Sequence, residues 1–236
     1  MKPAALSLLA CPLCSASLSL SDEGLRCPAD GSAYPRGPAG LLDLRPAAIR
    51  AAADTFAADY RAARLAEGWR PLTPEAAQAL PHDDPPGFPP LYWPVRRESW
   101  SALRSLVAGL GPGNLILADA GAGFPWLSHR LAELGHQVVA FDISADPDFG
   151  LGAARLFGDG FLAVLGSLEA PPLAAGRYDA VICNASLHYV NDLTACLVRL
   201  ARALRPEGAL IVMDTPITPG AGYPSRRQPE SRVLGR

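Results

Sequence analysis

Residues 117–128 read LADAGAGFPWLS. An apolar run leads into Gly121-Ala122-Gly123, and a segment of helical pattern follows. That strand–turn–helix order belongs to nucleotide sites. Dinucleotide folds place G-x-G-x-x-G here, with an acid about 20 residues further on. The third glycine would fall on Trp126, too large for the close helix–strand packing that a glycine permits. Asp119, two residues before Gly121, is a poor neighbour for phosphates but a good one for a ligand carrying an ammonium and a sulfonium. Asp142 ends the second strand, where a carboxylate can accept hydrogen bonds from both ribose hydroxyls. Two acids and a glycine turn therefore suit a positively charged nucleoside, not a pyrophosphate. Each acid alone also has a plain reading, Asp119 as a helix cap and Asp142 as a strand-end turn residue.

The pattern outward from this turn is regular. A helix is expected over 95–110, stopped by Gly111-Pro112-Gly113. NLILADA reads as a strand, PWLSHRLAELG as a helix and HQVVAFD as a strand. A short helix near 150–157 precedes the strand FLAVLG. YDAVICN, DLTACLVRLARALRP and GALIVMD then read as strand, helix and strand. Strands alternating with helices predict an α/β fold with a doubly wound, mostly parallel sheet.

On these residues the segment from about 97 to 214 resembles the class I S-adenosylmethionine-dependent methyltransferases. DAGAG matches the family's glycine turn, and HQVVAFDIS its second strand. RYDAVICNASLHYV matches the fourth strand with its loop, and RALRPEGALIVMD the helix, turn and fifth strand. DFGLGAARLF is similar to a group of bacterial methyltransferases without an assigned substrate. The resemblance implies roles residue by residue. Asp119, Gly121 and Gly123 would border the methionine part of S-adenosyl-L-methionine. Asp142 would hold the ribose and Ile143 would flank the adenine, while Ser167 and Leu168 would form the adenine-side loop. Asn184 would offer its backbone carbonyl to the methionine ammonium. The sequence departs from the family at Pro125, often a third glycine, and at Ser167, often an Asp. Proline is tolerable at 125 if it opens the helix as its first residue. His188 follows the fourth strand and is the candidate catalytic base; its bland reading is loop packing.

The N-terminus carries Cys11-Pro-Leu-Cys14, twelve residues, then Cys27-Pro-Ala-Asp30. Two C-P-x-x turns at this distance have zinc-ribbon spacing with one ligand changed to Asp30. CPADGSAYPRGPAGLLDL resembles the zinc-ribbon family that includes a small methyltransferase activator protein, and also the N-terminal module of certain rRNA guanine methyltransferases. A structural zinc on Cys11, Cys14, Cys27 and Asp30 is one expectation; a ribbon held by packing without metal is the other. Such a module also offers a place for a protein partner.

The remaining expectations come from composition. Net charge is −2, which argues against wrapping nucleic acid by counterion release. Five cysteines with one tight cluster do not form a disulfide framework and point to a reducing cytoplasm. No run is long enough to span a membrane. The division expected is 1–45 as the ribbon-like module, 46–94 as a helix with a Pro-rich linker or lid, 95–214 as the methyltransferase domain and 215–236 as an irregular tail. Residues 71–94 hold eight prolines, which excludes a helix or central strand there; Phe88, Tyr92 and Trp93 favour a lid. The 22 residues after Asp214 are too few for a closing helix and strand pair, so that pair is expected to be missing. The function expected is methyl transfer to a small-molecule acceptor. The alternatives are rRNA or tRNA base methylation, or an inactive cofactor-binding partner subunit. Against RNA stand HDD at 82–84, and NASL where base methyltransferases carry an aromatic after the fourth strand.

Overall fold

The computed structural model describes residues 3–215. The chain opens with a single helical turn, α1 (Pro3–Leu6). Strands β1 (Ser19–Ser21), β2 (Gly24–Arg26) and β3 (Ala33–Pro35) then form a small antiparallel sheet. β4 (Leu42–Asp43), α2 (Arg50–Ala66), α3 (Pro74–Ala79) and α4 (Tyr92–Gly109) lead to the main repeat. That repeat is β5 (Ile116–Ala120), α5 (Trp126–Glu133), β6 (Gln137–Asp142), β7 (Leu162–Leu165), β8 (Tyr178–Asn184), α6 (Leu193–Ala203) and β9 (Leu204–Met213).

The central sheet has the order β4-β7-β6-β5-β8-β9. All its pairings are parallel. β8 is buried along six consecutive residues, as a central parallel strand covered on both faces must be. The expected short helix near 150–157 is a 3-10 segment, Leu151–Leu156. β9 begins earlier than GALIVMD suggests. Leu204 already pairs with Tyr178, a register irregularity follows, and Glu207 takes φ +66° before regular pairing resumes at Ala209.

Two expectations need correction. Prolines do not keep residues 71–94 free of helix: α3 forms there, and α4 starts at Tyr92. Pro74 sits in the first turn, where an N–H has no intrahelical partner anyway, and Thr73 Oγ1 accepts from the Ala76 N–H at 3.3 Å. Pro94 likewise lies in the first turn of α4. Pro125 precedes the first residue of α5 instead of being it, and its carbonyl accepts from His129 N–H at 3.2 Å.

The N-terminal segment is built onto the sheet. β4 pairs with β7, and the Leu44 N–H donates to the Leu165 carbonyl at 2.9 Å. Tyr178 Oη donates to the Leu8 carbonyl at 2.6 Å. Leu8, Leu9, Tyr34 and Leu44 share one core with Val139, Phe141 and Val181 on that face of the sheet. On the other face α4 and α5 bury Trp100, Leu103 and Leu131 against Leu117 and Ile182. The expected irregular tail and missing strand pair lie outside the described residues, apart from Thr215. Among the described residues no helix is long and apolar enough to cross a membrane.

Candidate active site

The strand order reverses between β5 and β8, so a crevice opens above the carboxyl ends of these strands. The turn Gly121–Gly123 lies at that reversal, directly after β5. Gly121 has φ +72°, and a Cβ there would lie 2.5 Å from Ser186 Cβ. Ser186 is itself fixed, its Oγ donating to the Ala120 carbonyl at 2.8 Å. Glycine is thus required at 121 on both counts.

Asp142 ends β6 and braces the turn. Its Oδ2 accepts from Gly123 N–H at 2.9 Å, and its Oδ1 accepts from Ser144 N–H at 2.8 Å. Burial pushes its carboxyl above the ordinary range, and those N–H donors oppose the shift. Asp119 lies in β5 just before the turn and is 1% exposed. Ser128 Oγ, from the first turn of α5, donates to its Oδ2 at 2.6 Å. Burial pushes its carboxyl up to about 7; the Ser128 hydrogen bond pulls the other way and the Asp142 charge adds to the rise.

A cavity of about 390 Å³ occupies the crevice. Gly121, Gly123, Asp142, Ile143, Ser167, Leu168 and Asn184 line it together. Two of the candidate residues do not line it. Asp119 is enclosed in the sheet, and His188 stacks on Tyr189 at 4.1 Å between ring centroids, with Tyr189 forming the wall. Ser167 Oγ is engaged by the Glu169 N–H at 3.2 Å. Asn184 Oδ1 is buried with no hydrogen-bond partner among the described residues. A buried acceptor of that kind asks for a donor, which the ammonium of an amino acid supplies. The turn, the brace on Asp142 and this orphaned oxygen fit S-adenosyl-L-methionine.

The opposite wall is aromatic. Phe56 and Tyr60 come from α2, Trp69 from the segment after it, and Phe88, Tyr92 and Trp93 from the Pro-rich stretch and α4. Residues 71–94 are packed, not loose: Ala77 and Leu80 are fully buried, Gln78 Nε2 donates to the Leu156 carbonyl at 2.7 Å, and Arg130 donates to the carbonyls of Gln78 and Leu80. Trp69 escaped the reading of the sequence because it follows Gly68 outside any periodic segment. So did Arg45, which is 1% exposed and pairs with Asp43 and Asp54 at 2.8 and 2.7 Å.

At the N-terminus the Sγ atoms of Cys11, Cys14 and Cys27 and a carboxylate oxygen of Asp30 all lie within 4.8 Å of one another. Both C-P-x-x segments are tight turns: Ser15 N–H donates to the Cys11 carbonyl at 2.8 Å, and Gly31 N–H to the Cys27 carbonyl at 3.0 Å. Tyr34 Oη contacts Cys11 Sγ at 3.0 Å. Three thiols and one carboxylate converging on a point fit a four-coordinate zinc.

The sheet order, the glycine turn after β5 and the carboxylate ending β6 define a Rossmann-like domain of the class I methyltransferases. Residues 118–212 match the family model described as "Methyltransferase domain", and this part of the chain is an S-adenosylmethionine-dependent methyltransferase domain of that class. A malonyl-[acyl-carrier protein] O-methyltransferase of Gallionella capsiferriformans is 37% identical over 110 residues, 43% of this chain and 37% of that one. A demethylmenaquinone methyltransferase of Mycobacterium marinum is 36% identical over 129 residues, 54% of this chain and 50% of that one. A tRNA 5-carboxymethoxyuridine methyltransferase of Escherichia coli is 33% identical over 124 residues, 48% of this chain and 45% of that one. The chain thus spans about half, or less, of the length of these relatives. A solved putative methyltransferase of Bacillus halodurans superposes with TM-score 0.44 at 25% identity, over 49% of this chain and 50% of that one.

Proposed function

We propose that the protein transfers the methyl group of S-adenosylmethionine to a small-molecule acceptor in the cytoplasm. One observation carries this reading: a single cavity joins the glycine turn and Asp142 to an enclosed wall of aromatic side chains. When bound, S-adenosylmethionine supplies a methyl carbon on a sulfonium, which an acceptor lone pair attacks in line while the carbon–sulfur electrons stay on sulfur. The chain's own residues position the two reactants, which alone accounts for much of the rate of such a displacement. Asp142 receives the ribose hydroxyls while it holds Gly123, Ile143 flanks the adenine with Ser167 and Leu168, and Asn184 receives the ammonium. Asp119 lies beneath the turn, where a bound cation would draw its raised carboxyl toward the ionised form. His188 is off the wall, so the reading assigns it a role in packing Tyr189 and not in proton transfer. Zinc on Cys11, Cys14, Cys27 and Asp30 would fill all four positions with protein ligands and so be structural.

The relatives named above act on an acyl-carrier-bound acid, a demethylmenaquinone and a tRNA. RNA is the second reading, favoured by the tRNA relative and by the ribbon-like module. Net charge −2 and the acids Asp83 and Asp84 weigh against it. The test uses methyl-tritiated S-adenosylmethionine with two acceptor pools, a bacterial metabolite extract and total RNA. Label in the low-mass fraction is expected. Label in RNA would replace the small-molecule reading, and cofactor binding without transfer to either pool would point to an inactive partner subunit.

A further inference from the structure

We infer that the N-terminal module is a clamp on the loop after β7, and that a metal ion on Cys11, Cys14, Cys27 and Asp30 closes the clamp and so raises affinity for the cofactor. The clamp rests on the cofactor reading above, in which Ser167 and Leu168 lie beside the adenine.

The loop is gripped from both sides. Gly166, Ser167, Leu168 and Glu169 line the cavity, and the loop runs on to Pro172. At its near end β4 pairs with β7, Asp43 opposite Leu165, and the Leu44 N–H donates to the Leu165 carbonyl at 2.9 Å. At its far end residues 8–10 run antiparallel to 172–174, with Leu9 opposite Leu173. There the Ala10 N–H donates to the Pro172 carbonyl at 3.1 Å, and the Ala174 N–H to the Leu8 carbonyl at 2.9 Å. The two ends of the loop also meet, because a Cβ on Gly166 would lie 2.8 Å from Pro172 Cγ. Close packing of this kind passes a shift at either grip into the cavity wall.

The cysteine cluster joins the two grips. Cys11 directly follows Ala10. Cys27 and Asp30 lead into β3, and Arg36, just beyond β3, bridges to Leu42 at the start of β4. Across the cluster the protein's own ties are weak. Cys11 Sγ lies 3.1 Å from Asp30 Oδ2 and 3.0 Å from Tyr34 Oη, and Cys14 Sγ lies 3.5 Å from Cys27 Sγ. Thiols are poor hydrogen-bond partners, whereas metal–ligand bonds contribute directly to the stability of the folded module. Order that a metal imposes on both grips is order that the cofactor need not impose on the loop, so the two affinities rise together. A module serving only as an RNA-binding appendage would carry a core of its own. Here Cys11 and Cys27 are buried in one core with Phe141 and Val164 of the central sheet.

The experiment compares the full chain loaded with zinc, stripped by a chelator, and reloaded. Hydrogen exchange at the Ala10 and Ala174 amides is expected to speed about tenfold on stripping and to recover on reloading, while Leu117 and Ala118 in β5 stay protected. Calorimetry should show S-adenosylhomocysteine binding weakened about fivefold by stripping, and S-adenosylhomocysteine should tighten zinc retention against the chelator by the same factor. Unchanged exchange at both amides, equal S-adenosylhomocysteine affinity with and without zinc, or a chain that takes up no zinc overturns the inference. If stripping also exposes β5, the whole fold has opened and Tyr178→Phe in the zinc-loaded chain decides instead. That variant keeps all four cluster residues and removes the hydroxyl that donates to the Leu8 carbonyl at 2.6 Å. Faster exchange at Ala174 with S-adenosylhomocysteine weakened about 2- to 5-fold supports the clamp, and no change in either overturns it. If S-adenosylhomocysteine fails to bind the zinc-loaded chain, the cofactor reading falls separately, and exchange at Ala10 and Ala174 still decides whether metal closes the clamp.

Discussion

Arg45 Nη1 donates to the Ile143 carbonyl at 3.1 Å, tying the segment after β4 to the end of β6 across 98 positions of sequence. The same guanidinium holds both oxygens of Asp43, through Nε at 2.9 Å and Nη2 at 2.8 Å, and reaches Asp54 on α2. One buried side chain thus joins the N-terminal segment, the helix that walls the cavity, and the residue expected to flank adenine. Arginine suits this position because its planar fork satisfies several acceptors at once.

Removing one partner of a buried pair is more damaging than removing both. Arg45→Met should cost about 3 kcal/mol, because buried Asp43 loses its two close guanidinium contacts and keeps only Arg50 Nε at 3.6 Å. The double variant with Asp43→Asn should recover most of that loss. Urea unfolding of the three proteins measures it; a double variant as unstable as the single one would mean that Asp43 is not the source of the cost.

Asp119 makes stability depend on pH in a stated direction. Its carboxyl is raised from 3.8 to about 7 by burial, so the folded chain holds a proton that the unfolded chain has lost. Stability is therefore greatest below the unfolded value, falls as pH rises between about 4 and 7, and levels off above. Asp119→Asn keeps an acceptor for Ser128 Oγ and removes the titration. Its stability advantage over the parent should grow by about 2 kcal/mol between pH 5 and pH 8. Thermal melts without cofactor at the two pH values provide the check, and a constant difference would contradict the assignment.

Asp142→Ala should weaken S-adenosylhomocysteine binding by about 1.5–3 kcal/mol, as expected when a charged hydrogen-bonding group is lost. Part of that comes from the Gly123 N–H that Asp142 now holds. Gly121→Ala should be worse, because its Cβ would strike Ser186 at a turn with positive φ. Calorimetry on both variants ranks them; tighter binding by Gly121→Ala than by Asp142→Ala would be inconsistent with this geometry.

The cysteine cluster makes a claim about metal. Elemental analysis should find one zinc per chain. Asp30→Cys should hold it more tightly against a chelator, since a thiolate suits zinc better than a carboxylate. Tyr34→Phe removes a hydroxyl 3.0 Å from Cys11 Sγ and should speed zinc loss without abolishing it. A chain isolated free of metal, with its thermal midpoint unmoved by added zinc, would leave the packed ribbon as the account.

Much of the domain was legible because its signals are local. The β5 turn, Asp142 at the end of β6 and the two C-P-x-x turns each declare themselves within a few residues, through backbone demands that few side chains meet. The centre of β8 was legible as the apolar run AVIC at 180–183, since a strand buried on both faces shows no alternation there. Local reading failed where context decides. Eight prolines between 71 and 94 looked hostile to helices, yet α3 and the start of α4 place Pro74 and Pro94 in first turns, where proline does no harm.

By itself the sequence determined the alternation of strands and helices, the glycine turn with its two acids, and the convergence of three cysteines with Asp30. These follow from periodicity, backbone sterics and ligand spacing, all of them short-range. Tertiary structure alone decided that Leu42–Asp43 joins β7 at the edge of the sheet. It alone brought Trp69 and Trp93 to one wall, and put Tyr189, not His188, on the cavity. Those outcomes depend on which apolar faces cover one another and where buried charges find partners. Such pairings are settled between residues far apart in the chain, and no short window of sequence contains them.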